Sequence, residues 1–177
     1  MITSDFRYPV GRFTPESGIS AGRRAELVEE IAQLPARLRE AVAGLDERQL
    51  DTPYRPDGWT VRQLVHHVAD SHLNAYTRFK LGLTEDAPRI KPYEEARWAE
   101  LPDVAAVPIE TSLRLLDALH ERWTALLRAL SPEQFARVVQ HPEHPQPMSL
   151  DGLLALYGWH SRHHVAHVTA LREREGW

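Results

Sequence analysis

The chain has 177 residues, of which 42% are hydrophobic and 26% charged, and its net charge is −4. These values are typical of one soluble globular domain, and the interspersed charges argue against a surface for nucleic acid or for an anionic membrane. Because the chain contains no cysteine, disulfides, thiolate metal sites and a cysteine nucleophile are all excluded.

The N-terminal residues and the hydropathy of the chain bear on its location. The first residues, MITSDFRYPV, have neither the basic segment nor the apolar segment of a secretory signal. No apolar run approaches the ~20 residues that a membrane-spanning helix needs. We therefore expect a cytoplasmic protein that has no membrane partner.

The first third of the chain predicts an arm followed by a helix. Residues 1–19 contain two prolines and two glycines, and they predict an extended arm on the domain surface. From Ser20, apolar residues recur at three- and four-residue steps as far as Leu45, which predicts a helix. Pro35 lies inside this run and should kink it, because proline lacks a backbone N–H.

A second helix should begin near Thr60. Thr60 and Gln63 form a capping-box pattern, in which each side chain accepts a hydrogen bond from the other residue's backbone N–H. Apolar residues from Val61 to Phe79 supply the buried face of this helix. The segment 84–108 contains four prolines and predicts a long loop with a short turn near 94–100. Loops of this length are usually functional or disordered.

The second half of the chain predicts two further long helices. One spans about 109–130, and Ser131 to Gln134 begins a short helix with a cap, a first-turn proline and a capping-box glutamine. The last helix runs from Ser149 toward Arg174. We predict no strand. Four long helices predict an all-α four-helix bundle, with residues 1–177 forming a single domain.

Histidine is the unusual residue, with ten in the chain and four between positions 160 and 167. Residues four apart lie one turn apart on the same face of a helix. His160 and His164 form such a pair, and so do His163 and His167, at the spacing of helical zinc sites. His160 and His164 continue the apolar stripe of the last helix, whereas His163 and His167 lie toward its edge. The inward pair is therefore predicted to be His160 and His164.

A third ligand should come from the second helix. His67 lies close to its buried stripe, His66 shares a face with Asp70 and is expected to be more solvated, and His72 remains a candidate one turn beyond Val68. Three neutral imidazoles leave one position of a tetrahedral metal open, which is typical of a catalytic site. The same pattern is also compatible with a hydrogen-bonded polar core or with a pH-sensitive histidine cluster.

Several segments resemble the DinB/YfiT family, and in particular its YfiT branch. They are RPDGWTVRQLVHHVADSHLNAY with RFKLGLTED, YGWHSRHHVAHV, and the shorter YPVGRF, IKPYEEARWAELPD, ALHERW and HPEH. The resemblance covers nearly the whole chain. It implies a four-helix bundle, a homodimer and one divalent metal per chain, zinc or nickel, with His67, His160 and His164 as ligands. Members are labelled metal-dependent hydrolases, superfamily relatives act as thiol S-transferases, and the YfiT branch is linked to bacillithiol.

The leading hypothesis is a transferase that joins a low-molecular-weight thiol of the bacillithiol type to an electrophile. The metal would deprotonate the thiol. Asp70 or His163 would orient the ligands from behind, although Asp70 could equally be a surface charge. In the loop 84–108, the predicted substrate contacts are Lys91, Tyr93 and Trp98, with dimer packing as the alternative.

Two other functions are also compatible with the sequence. A metal-dependent hydrolase would use water in place of the thiol, but no glutamate follows the first ligand as in an H-E-x-x-H motif. The other is a metal-binding stress-response module without enzymatic activity. The expected partners are therefore a small-molecule thiol, an electrophilic substrate and a second copy of the chain, but not nucleic acid.

Overall fold

Four long helices make up most of the chain. The computed structural model describes residues 5–142 and 145–177. The long helices are α1 (Ala21–Val42), α3 (Val61–Thr84), α6 (Ile109–Arg128) and α8 (Leu150–Glu175). Between them lie the short helices α2 (Glu47–Leu50), α4 (Glu95–Trp98), α5 (Pro102–Ala106) and α7 (Pro132–Phe135), and the two-residue strands β1 (Val138–Val139) and β2 (Met148–Ser149).

The helices begin where the capping patterns predict. The Gln63 N–H donates to Thr60 Oγ1 at 3.1 Å, and the Thr60 N–H donates to Gln63 Oε1 at 3.0 Å. The same reciprocal pair forms between Ser131 and Gln134 at the start of α7. Both capping-box predictions are therefore confirmed. Each box satisfies backbone donors that the first turn of a helix leaves unpaired.

The first two long helices, α1 and α3, follow each other in the chain but do not pack against each other in the bundle. α1 packs against α6 and α8, and α3 packs against the same two helices. α1 and α3 therefore lie at opposite corners, which places α3 directly beside α8. The prediction of an all-helical four-helix bundle is confirmed. Within the described residues, no helix is long and apolar enough to cross a membrane.

The structure differs from the prediction in the connecting segments. β1 and β2 pair antiparallel, with Val138 opposite Ser149 and Val139 opposite Met148, so the prediction of no strand was wrong. Two residues are too few to produce a period-two pattern. The loop 84–108 contains the predicted turn as α4 and also the unpredicted helix α5. Part of the HPEH segment, positions 143 and 144, lies outside the described residues.

The apolar core consists of two clusters, one toward each end of the bundle. One cluster contains Phe79, Trp123 and Leu154, and the other contains Leu64 and Leu116, all of them fully buried. Each such side chain contributes roughly 1.5–3 kcal/mol through burial. Between the clusters, at mid-height, the long helices place buried histidines in the core. The structure thus holds its polar layer between two apolar ones.

Candidate metal centre

Three imidazoles converge where α3 packs against α8. They belong to His67 on α3 and to His160 and His164 on α8, and one nitrogen of each lies within 4.8 Å of the others. The Nε2 atoms of His160 and His164 are 3.2 Å apart. The ring centroid of His67 is 5.6 Å from that of His160 and 5.0 Å from that of His164. The structure therefore brings together the three residues that were predicted as ligands.

The donor set fits a divalent transition metal. With Zn–N bonds of 2.0–2.1 Å, two ligand nitrogens of a tetrahedral site lie about 3.3 Å apart, close to the observed Nε2–Nε2 distance. Burial lowers the pKa of His67 to about 4, and it lowers the pKa of His160 and of His164 well below the ordinary value. All three imidazoles are therefore neutral at pH 7, so each has a lone pair to offer. Zinc, nickel, copper and iron all accept such a set.

A cavity of about 790 Å³ opens over the three histidines. Three guanidinium groups line it, those of Arg7, Arg55 and Arg78. The Arg55 Nε is buried and has no hydrogen-bond partner among the described residues. Arg78 makes two long contacts, at 3.4 Å each, to the Tyr157 hydroxyl and to a backbone carbonyl. Arg55 and Arg78 therefore leave the cavity with donors that an anionic ligand would satisfy.

The remaining walls of the cavity are aromatic and apolar. The ring of Trp59 lies over His67, with centroids 4.5 Å apart. Tyr54, Met148, Leu153 and Leu156 complete these walls. The carboxylates in the lining, those of Asp57 and Glu95, are exposed. Apolar walls with a few polar groups are typical of small-molecule sites.

Two further histidines lie behind the cluster. His72 is fully buried, and its Nε2 lies 3.1 Å from Nδ1 of His160. Its Nδ1 lies 3.1 Å from Nε2 of His120, and the Nδ1 of His120 lies 2.7 Å from the Ile31 carbonyl oxygen. Because both nitrogens of His72 are engaged in this way, the structure does not present it as a ligand.

The other histidines of the two motifs are more buried than predicted. His66 was expected to be solvated, and this was wrong: the side chain is buried and its Nδ1 lies 2.8 Å from Ser112 Oγ. α5 packs on this face of α3 and shields it. His163 and His167, expected at an edge, are also buried. His163 stacks on Trp159 with centroids 4.3 Å apart and lines the cavity beside His164.

Asp70, which was predicted to support the ligands, is half-buried and lies near Asp103 of α5. Burial, followed by the nearby Asp103 carboxylate, raises the pKa of Asp70 to about 6. Its side chain makes no hydrogen bond to any described histidine, and it is absent from the cavity lining. Asp70 therefore lies on the side of α3 that faces α5.

The loop residues that were predicted to contact substrate line a different hollow. Lys91, Tyr93 and Trp98 surround a neighbouring cavity of about 800 Å³. The same loop contributes Ile90 and Glu95 to the histidine cavity instead. The loop therefore lines both cavities, the histidine cavity through Ile90 and Glu95 and the neighbouring one through the predicted three.

Sequence reasoning missed His120 altogether. His120 follows Leu116 by four residues and precedes Trp123 by three, so it lies on the buried stripe of α6. A polar residue at such a position needs a hydrogen-bond partner. That signal was present in the sequence, although the identity of the partner was not.

Comparisons with known proteins agree with this architecture. The DinB superfamily pattern matches residues 30–168. The chain is 48% identical over 177 residues to a Bacillus subtilis protein named "Putative metal-dependent hydrolase YfiT", covering 100% of this chain and 99% of that protein. A Bacillus mycoides relative with the same description is 51% identical over 173 residues, covering 98% and 99% of the two chains.

A solved structure is similar over nearly the whole chain. It is that of Bacillus subtilis YfiT, described as a four-helix bundle of unusual topology. It superimposes with a TM-score of 0.94 at 49% identity, covering 97% of this chain and 98% of the other. The extent of the family match and the identity to full-length relatives place the chain in the DinB superfamily.

Proposed function

We propose that this protein is a divalent-metal-dependent transferase that joins a low-molecular-weight thiol of the bacillithiol type to an electrophile. The observation that carries the proposal is the histidine cluster on the floor of a cavity lined by guanidinium groups. Metal dependence is also part of the names that the relatives carry. We assign His67, His160 and His164 as the ligands of one metal, zinc or nickel.

The residues around the cluster have distinct roles in this proposal. His67, His160 and His164 would hold the divalent metal, which would lower the pKa of a bound thiol and so supply the nucleophile near neutral pH. The Ser71 hydroxyl, 3.5 Å from His160 Nε2, is placed to donate a hydrogen bond to a group bound at the cluster. Arg55 and Arg78 bind the carboxylates of the thiol by charge-assisted hydrogen bonds. Trp59 shields the cluster from water.

The reaction is a substitution in which the thiol sulfur replaces a leaving group. With a chloro-aromatic electrophile, the C–S bond forms as the C–Cl bond breaks. Chloride departs with the electron pair, and the thiol proton passes to solvent. No oxidant or reductant is needed. What the chain contributes is the placement of the two reactants, which can supply a large share of a rate enhancement.

Hydrolysis is the second candidate, and the names of the relatives favour it. A hydrolase of this kind would use a carboxylate as general base near the metal. The carboxylates that line the cavity, Asp57 and Glu95, are exposed, and Asp70 faces α5. Among the described residues, no buried carboxylate lines the cavity beside the cluster, which supports the thiol over water.

The test uses zinc-loaded protein with 1-chloro-2,4-dinitrobenzene and either bacillithiol or cysteamine, which has no carboxylate. We expect conjugation with bacillithiol, a higher KM for cysteamine, and loss of conjugation in His164→Ala. The control is His66→Gln, which replaces a buried histidine outside the cluster.

Two outcomes contradict the proposal. One is that metal-loaded protein conjugates none of the thiols. The other is that it hydrolyses 4-nitrophenyl esters without thiol and loses that activity in His164→Ala. The second outcome would establish the hydrolase in place of the transferase.

A further inference from the structure

A path of three hydrogen-bonded imidazoles, here called the histidine path, crosses the bundle and contacts all four long helices. It begins at the Ile31 carbonyl on α1, passes through His120 on α6 and His72 on α3, and ends at Nδ1 of His160 on α8. Its three N···O or N···N distances are 2.7, 3.1 and 3.1 Å. His72 and His120 are 0% and 2% exposed. The histidine path is thus buried, and it ends on a residue of the histidine cluster.

The carbonyl end fixes the direction of every hydrogen bond. A carbonyl oxygen can only accept, so His120 must carry its proton on Nδ1 and donate to Ile31. Burial lowers the pKa of His120 to about 4 and that of His72 well below its ordinary value, so both are neutral and each has one N–H. His120 Nε2 therefore accepts from His72 Nδ1–H, and His72 Nε2 accepts from His160 Nδ1–H. His160 is left with its lone pair on Nε2.

The Ile31 carbonyl is available because of Pro35. In an α-helix the carbonyl of residue 31 accepts from the N–H of residue 35, and proline has no N–H. α1 continues through Pro35, so the Ile31 carbonyl lacks its helical donor. His120 Nδ1–H supplies the missing hydrogen bond. A proline in the interior of the first helix thereby selects the tautomer of a histidine on the last.

We propose that His72 and His120 are positioning residues that hold His160 as the Nδ1–H tautomer and aim its Nε2 at the metal. The inference deepens the proposed function, because it rests on the same histidine cluster. Partners of this kind fix the orientation of a metal-bound imidazole, and removing one typically weakens metal binding 10–100-fold.

His164 provides the internal contrast. Its Nδ1 is buried without a hydrogen-bond partner among the described residues, and its Nε2 faces His160 Nε2 at 3.2 Å. Since His160 Nε2 has no proton, His164 Nε2–H must donate across this gap in the metal-free protein. The histidine path therefore fixes the tautomer of His160 and leaves the tautomer of His164 free to change.

The first experiment measures zinc affinity by chelator competition in two variants of one position. His72→Leu removes the acceptor and should weaken zinc binding 10–100-fold. His72→Gln places an amide oxygen near the original Nε2 and should recover part of the loss. The control is His66→Leu, which removes a buried histidine of the same helix that is not part of the histidine path. Its zinc dissociation constant should be within about threefold of the wild-type value, a difference well below that range.

Two results of this experiment overturn the proposal. One is a folded His72→Leu protein, judged by circular dichroism, that binds zinc as tightly as the wild type. The other is equal weakening by leucine and glutamine, which would assign the effect to packing alone. If neither the wild type nor any variant binds zinc, the proposed function itself fails. The second experiment still tests the hydrogen bonds of the histidine path.

The second experiment needs no variant and no metal. Long-range ¹H–¹⁵N spectra of the metal-free protein report which ring nitrogen carries each proton. We expect protons on Nδ1 of His120, His72 and His160, and on Nε2 of His164. A proton on Nε2 of either His72 or His160 would overturn the proposal, whatever the zinc affinity.

Discussion

Replacing Asp70 by asparagine should stabilise the protein at neutral pH. The carboxyl is half-buried against α5, and burial followed by the Asp103 charge raises its pKa from 3.8 to about 6. The folded protein therefore binds a proton more tightly at this position than the unfolded chain does. The free energy of unfolding therefore falls as the pH rises from 3.8 to about 6. The reason is that folding then opposes ionisation of the carboxyl. Asparagine has nearly the same shape and cannot ionise.

The size of the effect follows from the two pKa values. A difference of about 2.2 units corresponds to about 3 kcal/mol at pH 7.5 and to about half of that at pH 5. Because the group is partly solvated, screening reduces this figure. We expect Asp70→Asn to gain about 1–2 kcal/mol at pH 7.5 and about half of that gain at pH 5.

The assay is urea unfolding of both proteins, free of metal, at the two pH values. Asp103→Asn serves as a partial control, because it removes only the smaller of the two causes and should stabilise less. Two results would refute the reasoning: a gain that does not depend on pH, or a loss of stability at pH 7.5. Unchanged zinc binding in Asp70→Asn would also show that Asp70 does not support the ligands.

Three further changes have definite expected outcomes. Gly158→Ala should lower the free energy of unfolding by about 1–3 kcal/mol, because its Cβ would lie 2.7 Å from Leu27 Cδ2. The control is Gly22→Ala, whose Cβ would meet nothing closer than 3.9 Å and which should lower the free energy of unfolding far less in the same urea titration. Zinc at a hundredfold excess over its Kd should stabilise the wild type by about 2.7 kcal/mol in thermal unfolding, and His164→Ala should abolish this gain; equal gains in both proteins would disprove the ligand assignment. Arg78→Met should raise the KM for bacillithiol about tenfold or more and leave the KM for cysteamine nearly unchanged, so equal changes for both thiols would remove Arg78 from carboxylate binding.

The sequence predicted well those features that depend on one helix at a time. The capping boxes at Thr60 and Ser131 require contacts only three residues apart, and both are present. The pairing of His160 with His164 follows from one turn of α8. Such features are fixed by the repeat of the helix and by short-range hydrogen bonds, so no knowledge of the partner helices is needed.

The prediction failed where a second element covers a helix face. His66 shares a face of α3 with charged residues, yet α5 and Ser112 bury it. α5 itself is five residues long, too short for a helical period to be seen in the sequence. The strands β1 and β2 escaped notice for the same reason. In each case the burial of a side chain depends on a short element that has little periodicity of its own.

The histidine layer separates most clearly what the sequence determines from what the tertiary structure determines. The sequence alone determined that imidazoles would lie one turn apart on the last helix, and that no thiolate could compete with them as a metal ligand. Only the tertiary structure decided that His120 would contact His72, and that the Ile31 carbonyl freed by Pro35 would end the histidine path. The physical reason is that spacing fixes neighbours within a helix, whereas contacts between helices depend on the rotation and register of each one. Those are set by the packing of the whole core.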